Sequence, residues 1–514
     1  MVIRPATGEP KATLSRRQGW MQMHKEPGKG LITPLWLGLC LLLASCTAPE
    51  RPKPEFSLRD QAPLAGLPDS APGWPAANWW QHFHDPQLDR LMATAMAGAP
   101  TLDVAMARYR QASSDIARKE ADKNIEITGY GTAGYSLSDI DADAGNSHIN
   151  NTTQGVAAIV GARLSWDLDL WGKKEAALKQ AIDTAHAQKA SQAAALSALQ
   201  YNLSALYFQW QAIAARLKVS QGSLATANEY LRVVKARVDA GVEEEDSLDK
   251  ARAQLAQIRQ QQAMLAGQQR IIHAQIAALM GISSQQLGAL EVKPLPTPAG
   301  ALPADAGLGL IGRRPDIVAA RWQVEAASQG IEQARAAYYP NISLSGLAGF
   351  LKSFPDLGSG DDAQLTLGTV GPSISLPIFE AGRLDAAFAA SNAQLNSAIA
   401  NYNQTVVQAA AQVARQVLTL GQLTDAAGEL QKRWLASRSQ YQRASLRVKQ
   451  GVDDPRQALG ASLELDSQTD SQLQLTAQRL DAQLQLIHEL GGGYQEPAPT
   501  ATDNAQPAAL EDSP

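Results

Sequence analysis

The second half of this chain repeats the first at a spacing of about 210 residues, and that duplication limits the folds open to it. Gly172 is matched by Gly382, Arg237-Val238 by Arg447-Val448, Gly241-Val242 by Gly451-Val452, and Gly281 by Gly491. A length of 514 residues would allow two or three separate domains. The repeat argues instead for one elongated body made of two similar halves, so its function must suit a pseudo-symmetric object.

Each half reads as helix, two strands, helix, turn, helix. The composition is rich in Ala, Leu, Gln and Arg and low in aromatics, which favours long helices with a polar face. In the first half a helix is expected from about Gln87 to Lys123, with a break near Pro100. Strands follow near Ile125–Leu137 and Gly155–Asp169, then helices over Lys173–Ala240 and from Gly241 to Met280. The second half repeats the order, with a helix at Arg314–Ala337 and strands near Asn341–Lys352 and Gln364–Phe379. Helices at Arg383–Lys449 and Pro455–Leu490 complete it. The polar stretches Ser138–Thr153 and Phe354–Ala363 read as solvent-facing hairpin loops.

Alternating steps of three and four on the helix after Gly241 hold Leu248, Ala251, Leu255, Ile258, Gln262, Leu265, Gln269, Ile272, Ile276 and Leu279. That heptad stripe calls for helix-on-helix, knobs-into-holes packing. The matching helix carries Leu473, Ala477, Leu480, Leu484 and Ile487 in a different register. Closure of a helical ring accounts for the difference; a simple antiparallel bundle fits the stripes equally well.

Basic residues, an apolar run from Leu31 to Ala44 and the sequence Leu43-Ala44-Ser45-Cys46 have the anatomy of a lipoprotein signal, with Cys46 acylated as the first mature residue. The expected modification is diacylglycerol and palmitate on Cys46, with no other cofactor. The leader carries six basic and two acidic side chains, and without it the chain holds 39 basic against 48 acidic residues. That balance argues against a nucleic-acid partner, which needs clustered positive charge. Residues 1–45 are the expected leader, 46–76 a Pro-rich tether and 77–281 the first repeat. A linker at 282–312, the second repeat at 313–494 and a disordered tail at 495–514 follow.

Outside the leader no apolar run approaches the 18 or so residues of a spanning helix, so only strands could cross the membrane to which the lipid ties the chain. Four strands cannot close a barrel, and open edges in lipid cost several kcal/mol per unpaired backbone group. Known single-chain barrels begin at about eight strands, so closure requires several copies, and three would supply twelve strands and twelve helices. Trp166 and Trp171 flank the end of the second strand, where a barrel carries its interfacial aromatics. Asp167 and Asp169 are expected to face the barrel lumen or its periplasmic rim.

Several motifs together resemble a known family. Trp166-Asp167-Leu168-Asp169-Leu170-Trp171-Gly172-Lys173 and its partner Leu376-Pro377-Ile378-Phe379-Glu380-Ala381-Gly382-Arg383 are similar to the strand-to-helix signature of TolC-type outer membrane efflux lipoproteins, the NodT family. Arg313-Arg314-Pro315-Asp316-Ile317, the run Ala336-Ala337-Tyr338-Tyr339-Pro340-Asn341-Ile342-Ser343-Leu344, and the opening Trp79-Trp80, Phe83, Asp85-Pro86, Leu88 and Leu91 belong to the same pattern. The resemblance spans about residues 46–494. It implies a mainly α fold with a transmembrane β-barrel portion: a homotrimeric 12-stranded β-barrel on a 12-helix α-barrel with an equatorial belt. It also implies a passive export duct in the outer membrane of a Gram-negative bacterium. Its implied partners are a periplasmic membrane-fusion adaptor and an inner-membrane pump of the RND or MFS class. A type I protein secretion duct and a non-transport periplasmic coiled-coil tether are the alternatives; a tether has no use for four strands.

The resemblance makes Arg237, Gly241, Val242, Arg447, Gly451 and Val452 the adaptor-docking tips. Relatives often carry paired acids where this chain has Gln457 and Gly460. Acids cluster here nearer the turns, at Glu243, Glu244, Glu245, Asp246, Asp453 and Asp454. Two readings stand side by side: an acidic periplasmic mouth that favours cations, or helix N-terminal acids that complement the macrodipole. No enzyme is expected, since no phosphate loop or nucleophile elbow appears, and His82 and His84 lack companions for a metal site.

Overall fold

The computed structural model describes residues 48–64, 73–144, 147–297, 303, 306–355 and 363–496. Cys46, the leader and most of the tail lie outside the described residues. Within the unit that begins at Pro49, a short 3-10 turn at Trp79–Phe83 precedes α1 (Pro86–Gly98) and α2 (Pro100–Ala121). Then come β1 (Glu126–Ala144), β2 (Ser147–Asp167), α3 (Lys173–Asp239), α4 (Glu245–Leu279) and α5 (Ser284–Leu287). The second half holds α6 (Ala306–Arg313), α7 (Pro315–Ala336), β3 (Asn341–Pro355), β4 (Ala363–Ser375), α8 (Arg383–Lys449) and α9 (Pro455–Glu489).

The duplication is visible in helix lengths. α2 and α7 each have 22 residues, α3 and α8 each 67, and α4 and α9 each 35. At ~1.5 Å per residue the longest pair each reach about 100 Å without a break. The repeated glycines fix where these helices stop. Gly241 and Gly451 have φ of 70° and 73°, a left-handed conformation that any Cβ would strain. Their turns are closed identically, Val242 N–H donating to the Arg237 carbonyl and Val452 N–H to the Arg447 carbonyl, at 3.0 and 2.9 Å.

The strands form one antiparallel sheet in the order β1-β2-β3-β4. β1 and β2 pair from Glu126↔Ser165 to Ala144↔Ser147, so the ladder runs through the stretch expected as a loop at Ser138–Thr153. The ladder extends to Ala144 and Ser147, and 145–146 lie outside the described residues. Asp- and Asn-rich sequence read as loop because it disfavours strands on average, but a ladder already in register carries it. In the second hairpin β3 reaches Pro355 and β4 starts at Ala363, and 356–362 lie outside the described residues.

Helices follow the strand order: α2 packs on α3, α3 on α7, and α7 on α8. Nearer the turns the order is α4, α3, α9, α8. None of the ten stripe positions on α4 is exposed, as knobs-into-holes packing requires. Two hydrophobic clusters hold the middle. One joins Trp79, Trp80, Leu88 and Met92 to Leu199, Leu203 and Tyr207 of α3 and Ile272, Ile276 of α4. The other joins Leu310 and Ile317 to Ile399, Tyr402 and Val406 of α8. The segment Pro49–Leu64 is laid along α7 and α8, with Glu55 N–H donating to Asn396 Oδ1 and Arg59 N–H to Asn403 Oδ1, both 3.0 Å.

Candidate functional site

The chain's sheet and its helix turns carry the functional features, at opposite ends of α3 and α8. Directly paired residues in an antiparallel ladder share a face. Register therefore puts Ile127, Leu164, Gly346 and Val370 together, then Gly131, Val160, Phe350 and Thr366, then Trp166, Leu344 and Pro372. This face is mostly apolar, with Thr366 and the paired Lys352 and Gln364 among its polar members, and Ile127, Val160, Phe350, Val370 and Ile374 on it are exposed. The opposite face mixes Glu126, Thr128, Arg163 and Thr369 with apolar residues. One apolar and one mixed face is the alternation of a membrane barrel strand. Among the described residues no helix is long and apolar enough to cross a membrane.

The junction between sheet and helices explains the tryptophan motif. Trp166 Nε1 donates to the Lys123 carbonyl at 3.1 Å, and Trp171 Nε1 to the Pro340 carbonyl at 2.7 Å. The Trp171 ring stacks on Tyr339 at 4.6 Å. Asp169, at φ 46°, turns its carboxylate onto the Lys174 and Glu175 N–H groups, both at 2.9 Å, and so satisfies the start of α3. Asp167 pairs with Lys174 at 3.0 Å and accepts from Asn341.

The structure brings the two helix turns together through ions. Arg237 lies 3.2 Å from Glu243, and its counterpart Arg447 lies 2.8 Å from Asp453, the same pairing at both turns. Arg237 also reaches Asp454 at 3.1 Å, while Arg456 reaches Glu243 at 2.6 Å and Asp454 at 3.0 Å. Two arginines and two carboxylates thus form a closed ring between the α3–α4 turn and the α8–α9 turn. The Ser247 hydrogen bond, then the Arg237 bond, lowers the Glu243 pKa; the Arg456 bond does most to lower that of Asp454. Asp454 also caps α9, accepting from Arg456 N–H at 2.8 Å.

Glu245 and Asp246 occupy the first turn of α4, with Asp246 paired to Lys250 at 2.6 Å. Glu244 stands at the N-cap without a side-chain hydrogen bond. Val242 and Val452 are more than 60% exposed at the very ends of the two hairpins. Sequence reasoning missed Arg456. A cation in the first turn of a helix opposes the macrodipole, and that local conflict was the available signal that a carboxylate elsewhere holds it.

An antiparallel pair of hairpins with an apolar face, continuous with helices about 100 Å long, is the protomer fold of outer-membrane channels. The sequence profile of the outer membrane efflux protein family matches residues 91–282 and 310–492. The chain belongs to that family and is an outer-membrane efflux channel, not an enzyme. It is 30% identical over 470 residues to the multidrug resistance outer membrane protein MdtP of Escherichia coli strain K12, covering 89% of this chain and 94% of that one. It is 32% identical over 383 residues to the fusaric acid resistance protein FusA of Burkholderia cepacia, covering 72% and 71%. Among solved structures, the outer-membrane channel OprN superposes with a TM-score of 0.73 at 26% identity, covering 87% of this chain and 99% of that one. VceC of Vibrio cholerae does so at 0.69 and 27%, covering 82% and 100%.

Proposed function

We propose that this channel is the passive outer-membrane duct of a tripartite multidrug efflux assembly, formed by three copies that close a 12-stranded β-barrel and a 12-helix α-barrel. The observation that carries the reading is the four-stranded sheet with two long unpaired flanks, β1 and β4. Ile374, Ile378 and Phe379 are strongly exposed along the β4 side and Ile125 and Ile127 along the β1 side, which supports coverage of each flank by the other flank of a second copy. Cys46 carries diacylglycerol and palmitate. The tips Arg237, Gly241, Val242, Arg447, Gly451 and Val452 dock a periplasmic membrane-fusion adaptor, and an inner-membrane pump of the RND or MFS class delivers the cargo. The two exposed valines support docking, because an apolar side chain at a helix turn is stabilised when a partner covers it.

Glu244 and Glu245 remain as the acids of the mouth that form no ion pair among the described residues. The test joins native mass spectrometry of the purified protein to planar-bilayer recording and drug susceptibility of a deletion strain. A trimer that conducts, and a strain sensitised to several unrelated compounds and restored by the wild-type chain, are expected. Neutralising Glu244 and Glu245 should lower cation selectivity. A non-conducting monomer, or unchanged susceptibility with a conducting trimer, refutes the assembly or the cargo class respectively.

A further inference from the structure

A cleft of about 1090 Å³ lies between α2, α3, α7 and the stretch Tyr494–Glu496, away from both the sheet and the tips. Its volume is that of a small-molecule site, where one expects apolar walls and a few convergent polar groups. Met106, Leu196 and Trp322 provide the walls. The Trp322 ring is fixed in place: its Nε1 donates to Glu496 at 3.0 Å, and His186 meets it edge-on at 4.5 Å.

Four carboxylates line the cleft: Asp103 on α2, Glu496 bonded to Trp322, and a pair from neighbouring helices, Asp183 on α3 and Glu325 on α7. Neither of this pair makes an ion pair or hydrogen bond among the described residues. Burial, then the charge of Glu325, pushes Asp183 up to about 6, and Lys179 only partly opposes them. Arg110, Lys189 and Arg321 border the cleft, are exposed, and make no ion pair with either carboxylate among the described residues. A half-buried carboxylate facing a second, exposed one beside a hydrogen-bonded indole is electrostatically complementary to a positive charge on an apolar body.

We propose that this cleft binds a small amphipathic organic cation, with its charge between Asp183 and Glu325 and its apolar body against Trp322, Met106 and Leu196. The site is independent of the duct reading, since it uses neither the membrane face nor the helix tips.

The test is equilibrium dialysis of the full chain in amphipol against tetraphenylphosphonium, with tetraphenylborate as an anion of equal shape. Saturable binding of the cation alone is expected, weakened at least about tenfold in the double variant Asp183→Asn/Glu325→Gln. Both changes are isosteric and remove a repulsion, so the double variant should unfold at or above the wild-type temperature. Three results overturn the proposal: equal binding of the two ions, binding indifferent to the double variant, or binding only after truncation beyond Glu496. The last assigns the cleft to the chain's own C-terminal segment.

Discussion

Arg314 ties three helices of the second half together, and its removal has a calculable cost. It is buried, as is Glu489 at the end of α9. Its guanidinium donates to Glu489 Oε2 at 2.6 Å, the Glu489 carbonyl at 3.1 Å, Asp316 at 2.7 and 3.0 Å, and Gln412 of α8 at 3.1 Å. Three helices, α7, α8 and α9, meet on this one cation. Arg314→Met keeps the apolar stem but leaves the Glu489 carboxylate buried without a counter-charge, at a cost of about 3–5 kcal/mol. Arg314→Met/Glu489→Gln removes that uncompensated charge and should regain at least about 1 kcal/mol. The assay is guanidinium unfolding followed by circular dichroism, at one fixed protein concentration because assembly shifts apparent stability. The pH dependence also has a defined sign. Burial raises the Asp316 carboxyl, while the Arg314 hydrogen bonds and charge outweigh it, so its folded pKa is depressed. Its contribution is present above the unfolded value near about 4 and is lost as pH falls through the folded value, so the wild-type advantage attributable to Asp316 should be flat between about pH 5 and 8. A double variant as unstable as Arg314→Met, or a single variant within about 1 kcal/mol of wild type, would falsify the buried-charge argument.

Three further outcomes follow from the same geometry. Arg456→Gln opens the ring between the turns and should raise channel conductance in planar bilayers, whereas Arg447→Gln breaks only a pair within one turn; equal effects would show that the ring does not couple the hairpins. Gly491→Ala puts a Cβ 1.9 Å from the Arg313 carbonyl and should abolish assembled protein on native gels, whereas Gly241→Ala meets open space and should cost only about 1–2 kcal/mol in unfolding. Burial holds the His488 pKa below its usual value, against the opposing charges of Glu489 and Asp316. The unfolded chain therefore takes up the proton first as pH falls below about 6.5, and stability declines from there down to the folded pKa; His488→Gln should flatten that part of the pH–stability curve.

The sequence made the architecture readable wherever the constraint was local. Repeated glycines marked helix ends because only a residue without a Cβ accepts φ near +70° cheaply, and the heptad on α4 showed its buried face. Strand boundaries were less legible: polar residues after Leu137 are carried by a ladder whose register was set elsewhere. Two site details were hidden for a different reason. The sequence places Asp169 at the barrel lumen or its periplasmic rim; the backbone turn at φ 46° aims its carboxylate at the first amides of α3. The Arg456–Glu243 contact joins positions 213 residues apart, and the duplication could not reveal it, because Asp246 occupies the place equivalent to Arg456.

The same two sides of the protomer are incomplete at three levels, which constrains how copies assemble. The sheet ends in β1 and β4, the first helical layer in α2 and α8, and the layer near the turns in α4 and α8. On α8, Val407, Leu418, Leu435 and Leu446 are exposed apolar residues, and they fall on two neighbouring positions of a seven-residue repeat. On α4, Met264 and Ile271 are exposed one heptad apart. A head-to-tail contact that joins one side to the other must satisfy sheet and helices with a single rotation, and closure of that rotation distinguishes a ring from a filament. Leu435→Gln/Leu446→Gln should therefore weaken assembly while leaving the chain's own clusters intact, since neither residue belongs to them. Met264→Gln/Ile271→Gln on the opposite side should do the same, and combining the two pairs should cost less than the sum because each strips the same interface. Fully additive losses in the oligomer–monomer equilibrium, followed by analytical ultracentrifugation, would mean that these sides do not meet.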